Sequence, residues 1–291
     1  MQLLRGRTTR TRSLAVSPDS RYVAAAGAVT CHVWDLHNPK AKPQALESRI
    51  NFIRSLQFTT SNDLIGWVGA QWRCYSVAAG YAEWFEFPVD TETDSSIFHP
   101  TGTLLKNRAR LGSVDTYDLT IRNSATLTNT REIANLQYLR RFNPAGDRYL
   151  AVVDMNECLV DNATDSILTT FDTSWNEPDD VTDCYFSSDG KRLYFWAEWE
   201  LFAYDCAAGG PAVATAALPI WCHSLAAHPD GRVIATVEDG RAVTFRDADT
   251  LEVLRRYDFN MPTVTCVAFT PDGTRCVLGN SRGKVLLFDV E

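Results

Sequence analysis

The chain has 291 residues, 45% of them hydrophobic, with a formal net charge of −8 and an isoelectric point near 5.2. That balance fits a folded soluble core and argues against a dedicated nucleic-acid binder, which needs clustered Lys and Arg. No apolar run of about 18 residues is present, so no membrane span is expected, and Met1 to Ser13 is basic without the apolar centre of a secretory signal. A cytoplasmic protein is the expectation.

In chain order, the first predicted elements are a strand over about Ser13 to Ser17, a Pro18-Asp19-Ser20 turn, and strands near Tyr22 to Gly27, Cys31 to Leu36 and Gln44 to Arg49. Proline pre-sets φ in such a turn, while Gly or Asn supplies the left-handed position. The same grammar recurs along the chain. An apolar anchor is followed by a polar residue and a turn at Val16, Phe58, Phe98, Phe142, Phe186, Ala227 and Phe269. The anchor spacings are 42, 40, 44, 44, 41 and 42 residues. Some 17 to 19 positions after each anchor comes an aromatic or aliphatic residue, usually followed by Asp: Trp34-Asp35, Tyr75-Ser76, Tyr117-Asp118, Val160-Asp161, Tyr204-Asp205, Phe245-Arg246 and Phe288-Asp289. Short strands with turn punctuation at this period indicate an all-β repeat assembly.

On these residues the chain resembles the WD-repeat family over nearly its whole length, with divergent repeats: the Trp-Asp pair itself survives only at Trp34-Asp35. The resemblance implies a single domain, residues 1–291, folded as a closed seven-bladed β-propeller of four-stranded blades. After Phe269 the chain ends with its third strand near Val290. Met1 to Leu4 is therefore expected to pair beside that strand and close the ring, removing a free edge. The family's His–Asp–Trp network is not intact: Gly6-Arg7 stands where Gly-His is common, and only Asp239-Gly240 keeps the Asp of the turn between the second and third strands.

Candidate chemistry is sparse. His99 and His228 each follow an anchor, where other repeats carry Ser17, Thr59, Asn143, Ser187 and Thr270, so both are read as turn residues. His32, His37 and His223 fall at unrelated repeat positions. No triad ordering, nucleophile elbow or metal-ligand spacing is found, and neither a cofactor nor a metal is expected. The eight cysteines form no CxxC pair and are read as reduced core residues. Leu139-Arg140-Arg141-Phe142 and Leu254-Arg255-Arg256-Tyr257 resemble the Arg-Arg motif of phosphoinositide-binding propellers but lack its glycine, and lipid binding is disfavoured.

In this architecture the connections between second and third strands (b–c) and between successive blades (d–a) share one rim. Asp154, Glu157, Asp179, Asp180, Glu198, Glu200, Glu238 and Asp239 fall there in one arc, and Arg10, Arg12, Arg54, Arg73, Arg108, Arg110 and Arg282 in the rest. Trp72 and Trp199 occupy equivalent b–c positions, and Trp221 lies near a d–a connection. Aromatic and Arg side chains beside a polar rim are interface material. The reading is a non-catalytic scaffold that binds a protein or peptide, possibly basic, through Arg54, Trp72, Arg110, Glu157, Asp180, Glu198, Trp199, Trp221, Asp239 and Arg282. The alternatives are a propeller hydrolase or lyase with its site at the channel mouth, and a self-associating structural subunit.

Overall fold

The computed structural model describes the chain apart from residues 5, 7, 9, 29, 47–52, 69–70, 82–83, 88–92, 102–103, 111–116, 124–125, 133–135, 174–180, 198, 219–221, 239, 260–261 and 291. For residues 53–55, 67–68, 71–72, 84–87, 93–96, 104–110, 117–123, 126–132 and 181–182 it describes the strand backbone only.

The described residues are all-β. After β1 (Gln2–Leu3), the first repeat supplies β2 (Ser13–Val16), β3 (Tyr22–Ala26), β4 (Cys31–Asp35) and β5 (Gln44–Leu46). The second supplies β6 (Ile53–Phe58), β7 (Leu64–Val68), β8 (Gln71–Tyr75) and β9 (Trp84–Phe87). The third supplies β10 (Thr93–Phe98), β11 (Leu104–Arg110), β12 (Tyr117–Asn123) and β13 (Thr126–Glu132). Next come β14 (Leu136–Phe142), β15 (Arg148–Val153), β16 (Asn156–Asp161) and β17 (Ile167–Asp172). The fifth repeat carries β18 (Val181–Phe186), β19 (Arg192–Ala197), β20 (Glu200–Asp205), β21 (Gly210–Pro211) and β22 (Ala214–Ala217). The last two carry β23 (Cys222–Ala227), β24 (Val233–Glu238), β25 (Ala242–Asp247) and β26 (Val253–Asp258), then β27 (Val264–Phe269), β28 (Arg275–Asn280) and β29 (Val285–Asp289).

These strands form antiparallel meanders, one per repeat, and β1 joins β29 with Gln2 opposite Leu287 and Leu3 opposite Leu286. The N-terminal strand thus pairs where the sequence places it, and Leu4 follows by donating its N–H to the Val285 carbonyl at 3.0 Å.

The expectation of a closed ring of seven four-stranded blades is corrected. Among the described residues six sheets, not seven, are four-stranded, and the sheet of β14 to β17 has a fifth strand, β21, pairing parallel to β17. The cause lies in Gly209 and Gly210, whose φ values of +63° and +66° turn the chain back after β20. A Cβ at Gly209 would lie 2.0 Å from Thr169 Oγ1 and 2.9 Å from the Thr170 carbonyl oxygen, so only glycine lets this backbone approach β17. The chain also divides into two compact units, Met1–Pro88 with Leu218–Ala248 and Glu252–Glu291, and Val89–Ala217 with Asp249–Leu251.

In the first unit, Leu4, Val23, Ala25, Trp34, Leu36, Val277, Val285 and Leu287 form one core cluster, which joins the N-terminal residues to the last sheet. In the second unit, Phe171, Phe186, Phe195, Phe202 and Tyr204 dominate another cluster. There Phe171 and Tyr204 meet edge to face at 5.4 Å, a favourable aromatic geometry.

The residue after each anchor explains the repeat grammar. Ser17, Thr59, Asn143, Ser187 and Thr270 are all buried, and their side-chain oxygens accept N–H groups across the turn. Tyr22 N–H donates to Ser17 Oγ at 2.8 Å, Arg192 N–H to Ser187 Oγ at 2.9 Å, and Arg275 N–H to Thr270 Oγ1 at 3.0 Å. The turn's backbone N–H groups need an acceptor, which an apolar side chain at this position would not supply.

Candidate functional site

His99 and His228 serve the same turns. Nδ1 of each lies within hydrogen-bond reach of the N–H two residues on, at 3.2 Å from Thr101 and 3.3 Å from Asp230. Their Nε2 atoms lie 3.0 Å from the Gly146 carbonyl and 2.9 Å from the Gly273 carbonyl, in the corresponding turns of the following repeats. Each ring also meets a phenylalanine edge to face: His99 on Phe142 at 5.2 Å, His228 on Phe269 at 4.9 Å. These contacts fasten consecutive repeats together and give the two histidines structural work.

Two b–c turns each present a large exposed apolar side chain. Between β15 and β16 the turn is Asp154-Met155, with φ of +49° and +65°, a two-residue hairpin closed by Val153 opposite Asn156. Met155 N–H donates to Gln137 Oε1 at 2.7 Å, so the tip is anchored to β14, yet Met155 is 52% exposed. In the next repeat the equivalent hairpin closes with Ala197 opposite Glu200 and presents Trp199, 51% exposed. Both turns belong to the second unit. Arg282 is also exposed, on the β28–β29 turn, where Asn280 Oδ1 accepts the N–H groups of Arg282 at 3.0 Å and Lys284 at 2.9 Å.

Glu157 is not where the sequence reading puts it. Its side chain is buried, and Oε1 accepts from Arg140 Nε at 3.0 Å and Nη2 at 2.7 Å. It therefore neutralises Arg140 and contributes no charge to a rim; burial pushes its carboxyl up from the ordinary value in spite of the arginine. Glu238, assigned to the same arc, is also buried. Its Oε1 accepts from Arg246 Nε at 3.1 Å, Arg246 Nη2 at 2.8 Å and Thr236 Oγ1 at 2.7 Å. The acidic arc thus loses two of its members to internal ion pairs.

Arg54, Trp72 and Arg110 sit on β6, β8 and β11, whose backbones are described while these side chains are not. Asp180, Glu198, Trp221 and Asp239 lie outside the described residues. Of the ten predicted positions, Trp199 and Arg282 are the described side chains exposed on b–c turns. The sequence reading missed Met155, although an apolar residue at the tip of a two-residue hairpin, where polar residues and glycine are usual, was a legible signal.

The Arg-Arg pairs are placed as well. Arg140 is taken by Glu157, and Arg141 lies 3.7 Å from Asp183 and over the Tyr185 ring at 4.8 Å. Arg255 and Arg256 are exposed on β26. All eight cysteines are buried and free, and burial pushes the Cys184, Cys206, Cys222 and Cys266 thiols up to about 12, so none is a ready nucleophile. Among the described residues no group of three His, Cys, Asp or Glu side chains could hold a metal ion, and no helix is long and apolar enough to cross a membrane.

No family model matches this sequence, and no curated protein matches it. The structure does match the β-propeller domain of Myceliophteria thermophila Cps50 (Swd1), with a TM-score of 0.77 and 12% identity, covering 100% of this chain and 99% of that one. The all-β sheets, the 42-residue grammar and this match together make the fold that of a β-propeller.

Proposed function

We propose that this protein is a non-catalytic interaction propeller of the WD-repeat type, which binds a protein or peptide segment across its b–c turns. The observation that carries this reading is the pair Met155 and Trp199, two large apolar side chains about half exposed at the tips of equivalent turns in consecutive repeats. Trp and Met anchors surrounded by polar side chains are what interface cores are made of. Asp154 and Glu200 flank them, which gives the surface a polar border. With Glu157 and Glu238 committed internally, apolar anchoring carries more of the recognition than a net acidic arc. Eight unpaired cysteines favour a reducing, cytoplasmic setting.

The test compares partners recovered from native cells by wild type and by a Met155→Ala/Trp199→Ala variant, at low and moderate salt. Both side chains are exposed, so the melting temperature is expected to be unchanged while specific partners are lost. Identical recovery by the two proteins would end the proposal.

A further inference from the structure

Exposed sulfur is scarce among the described residues. All eight cysteines are buried, and burial keeps Cys184, Cys206, Cys222 and Cys266 in the thiol form, which oxidants attack slowly. Sulfur reaches the surface instead in two methionines, Met1 at 83% exposure and Met155 at 52%. Their surroundings differ. Met1 begins the chain, whereas Met155 stands at the tip of the β15–β16 hairpin, where both central residues take a left-handed φ, +49° at Asp154 and +65° at Met155. That backbone favours Asn, Asp and Gly and is strained for a long side chain.

Gln137 on β14 holds this tip with both ends of its amide. Its Oε1 accepts the Met155 N–H at 2.7 Å, and its Nε2 donates to Met155 Sδ at 2.7 Å. The β14–β15 register shifts between Leu136 and Tyr138, with Gln137 as the extra residue, and a bulge of this kind re-aims a side chain. Here it turns Gln137 onto the hairpin tip. The Met155 sulfur is thus fixed at an exposed position with one of its two lone pairs engaged and the other left free.

We propose that Met155 is a site of reversible sulfoxidation, and that the sulfoxide switches the b–c surface off; the switch rests on the b–c turns being the partner surface. The free lone pair attacks one oxygen of hydrogen peroxide or another two-electron peroxide. The S–O bond forms, the O–O bond breaks, and the leaving hydroxide takes a proton to become water. Sulfur is oxidised by two electrons and the peroxide is reduced. A thiol-dependent sulfoxide reductase restores the thioether, oxidising two thiols to a disulfide and releasing the oxygen as water. The bond from Met155 N–H to Gln137 is untouched, so the hairpin keeps its shape while an apolar anchor becomes a polar one. Desolvating the sulfoxide oxygen then offsets what a partner gains by covering the thioether.

The test treats the full-length protein with hydrogen peroxide and follows Met1 and Met155 by peptide mass spectrometry. The two reductases that each act on one sulfoxide epimer then report which epimer formed. Met155 is expected to convert with one epimer in about threefold excess or more, because Gln137 engages one lone pair, while Met1 gives both equally. Gln137→Leu is expected to bring Met155 to equal epimers as well. Met155 left unmodified when Met1 is fully converted, equal epimers at Met155 in wild type, or an unchanged excess in Gln137→Leu would each overturn the modification site. Partner recovery from native cells is then measured for wild type and Met155→Leu, each before and after peroxide. Treated wild type is expected to lose specific partners about tenfold and regain them after both reductases, and Met155→Leu to show no change on treatment. An equal change on treatment in the two proteins would overturn the switch. Untreated wild type recovering the same partners as Met155→Ala/Trp199→Ala would instead overturn the partner surface and the switch with it, while the epimer result still decides the modification site.

Discussion

Replacing Arg246 by Met should be among the most damaging single substitutions outside the apolar cores. Arg246 and Glu238 side chains are only 5% and 3% exposed, and Glu238 Oε1 receives two guanidinium N–H groups and the Thr236 hydroxyl. Without Arg246 the carboxylate stays buried with one neutral donor. Breaking a buried pair from one side costs about 3–5 kcal/mol, most of it the penalty of the stranded charge. The paired change Glu238→Met/Arg246→Met removes both charges from a buried sheet face shared with Ile234, Thr236, Ala242 and Thr244, and is expected to recover most of that loss. Urea unfolding followed by tryptophan fluorescence would give the two single and one double ΔΔG values, with a coupling of about 2 kcal/mol or more between the sites. A useful control is Arg192→Ala, which breaks half-exposed contacts to Asp205 and Asp249 and should cost at most about 1 kcal/mol. An Arg246→Met cost below about 1 kcal/mol, or a double variant as weak as the worse single one, would refute the claim that burial makes this pair obligatory.

Further outcomes follow from the same geometry. Leu4→Ala removes a fully buried side chain packed with Val23, Trp34, Val285 and Leu287, and should cost about 2–5 kcal/mol by chemical denaturation, matched in direction by deletion of residues 1–6. Gly209→Ala forces a Cβ into Thr169 and a left-handed φ on alanine; it should cost about 1–3 kcal/mol and raise hydrogen exchange along β17 more than along β20. Burial raises the Glu157 carboxyl above its usual 4.5, so the folded protein holds that proton more tightly than the unfolded chain does. Its contribution to stability is therefore full below about pH 4.5 and declines as pH rises through the elevated folded value, a slope that Glu157→Gln should abolish in melts taken across that range.

How much was legible differs by element. The anchors and the polar residue after each could be read because the turn is closed within five residues: Ser17 to Tyr22 and Thr270 to Arg275 need no distant partner. The roles of His99 and His228 could be inferred from their repeat position, although their reach to Gly146 and Gly273 in the following repeats could not. The rim charges misled because a carboxylate near a strand end reads the same whether it faces water or an arginine. Glu157 meets Arg140 from 17 residues earlier, and Glu238 meets Arg246 from the neighbouring strand.

By itself the sequence determined the all-β class and placed Met1 to Leu4 beside the last strand, where Gln2 and Leu3 pair, since each rests on a period that recurs along the chain. Only the tertiary structure decided which charges are internal, that Gly210–Pro211 adds a strand to β17, and that the whole of β26 is left facing solvent. Those features depend on which side chain finds a partner across sheets, and burial relative to distant neighbours leaves no mark on composition or spacing.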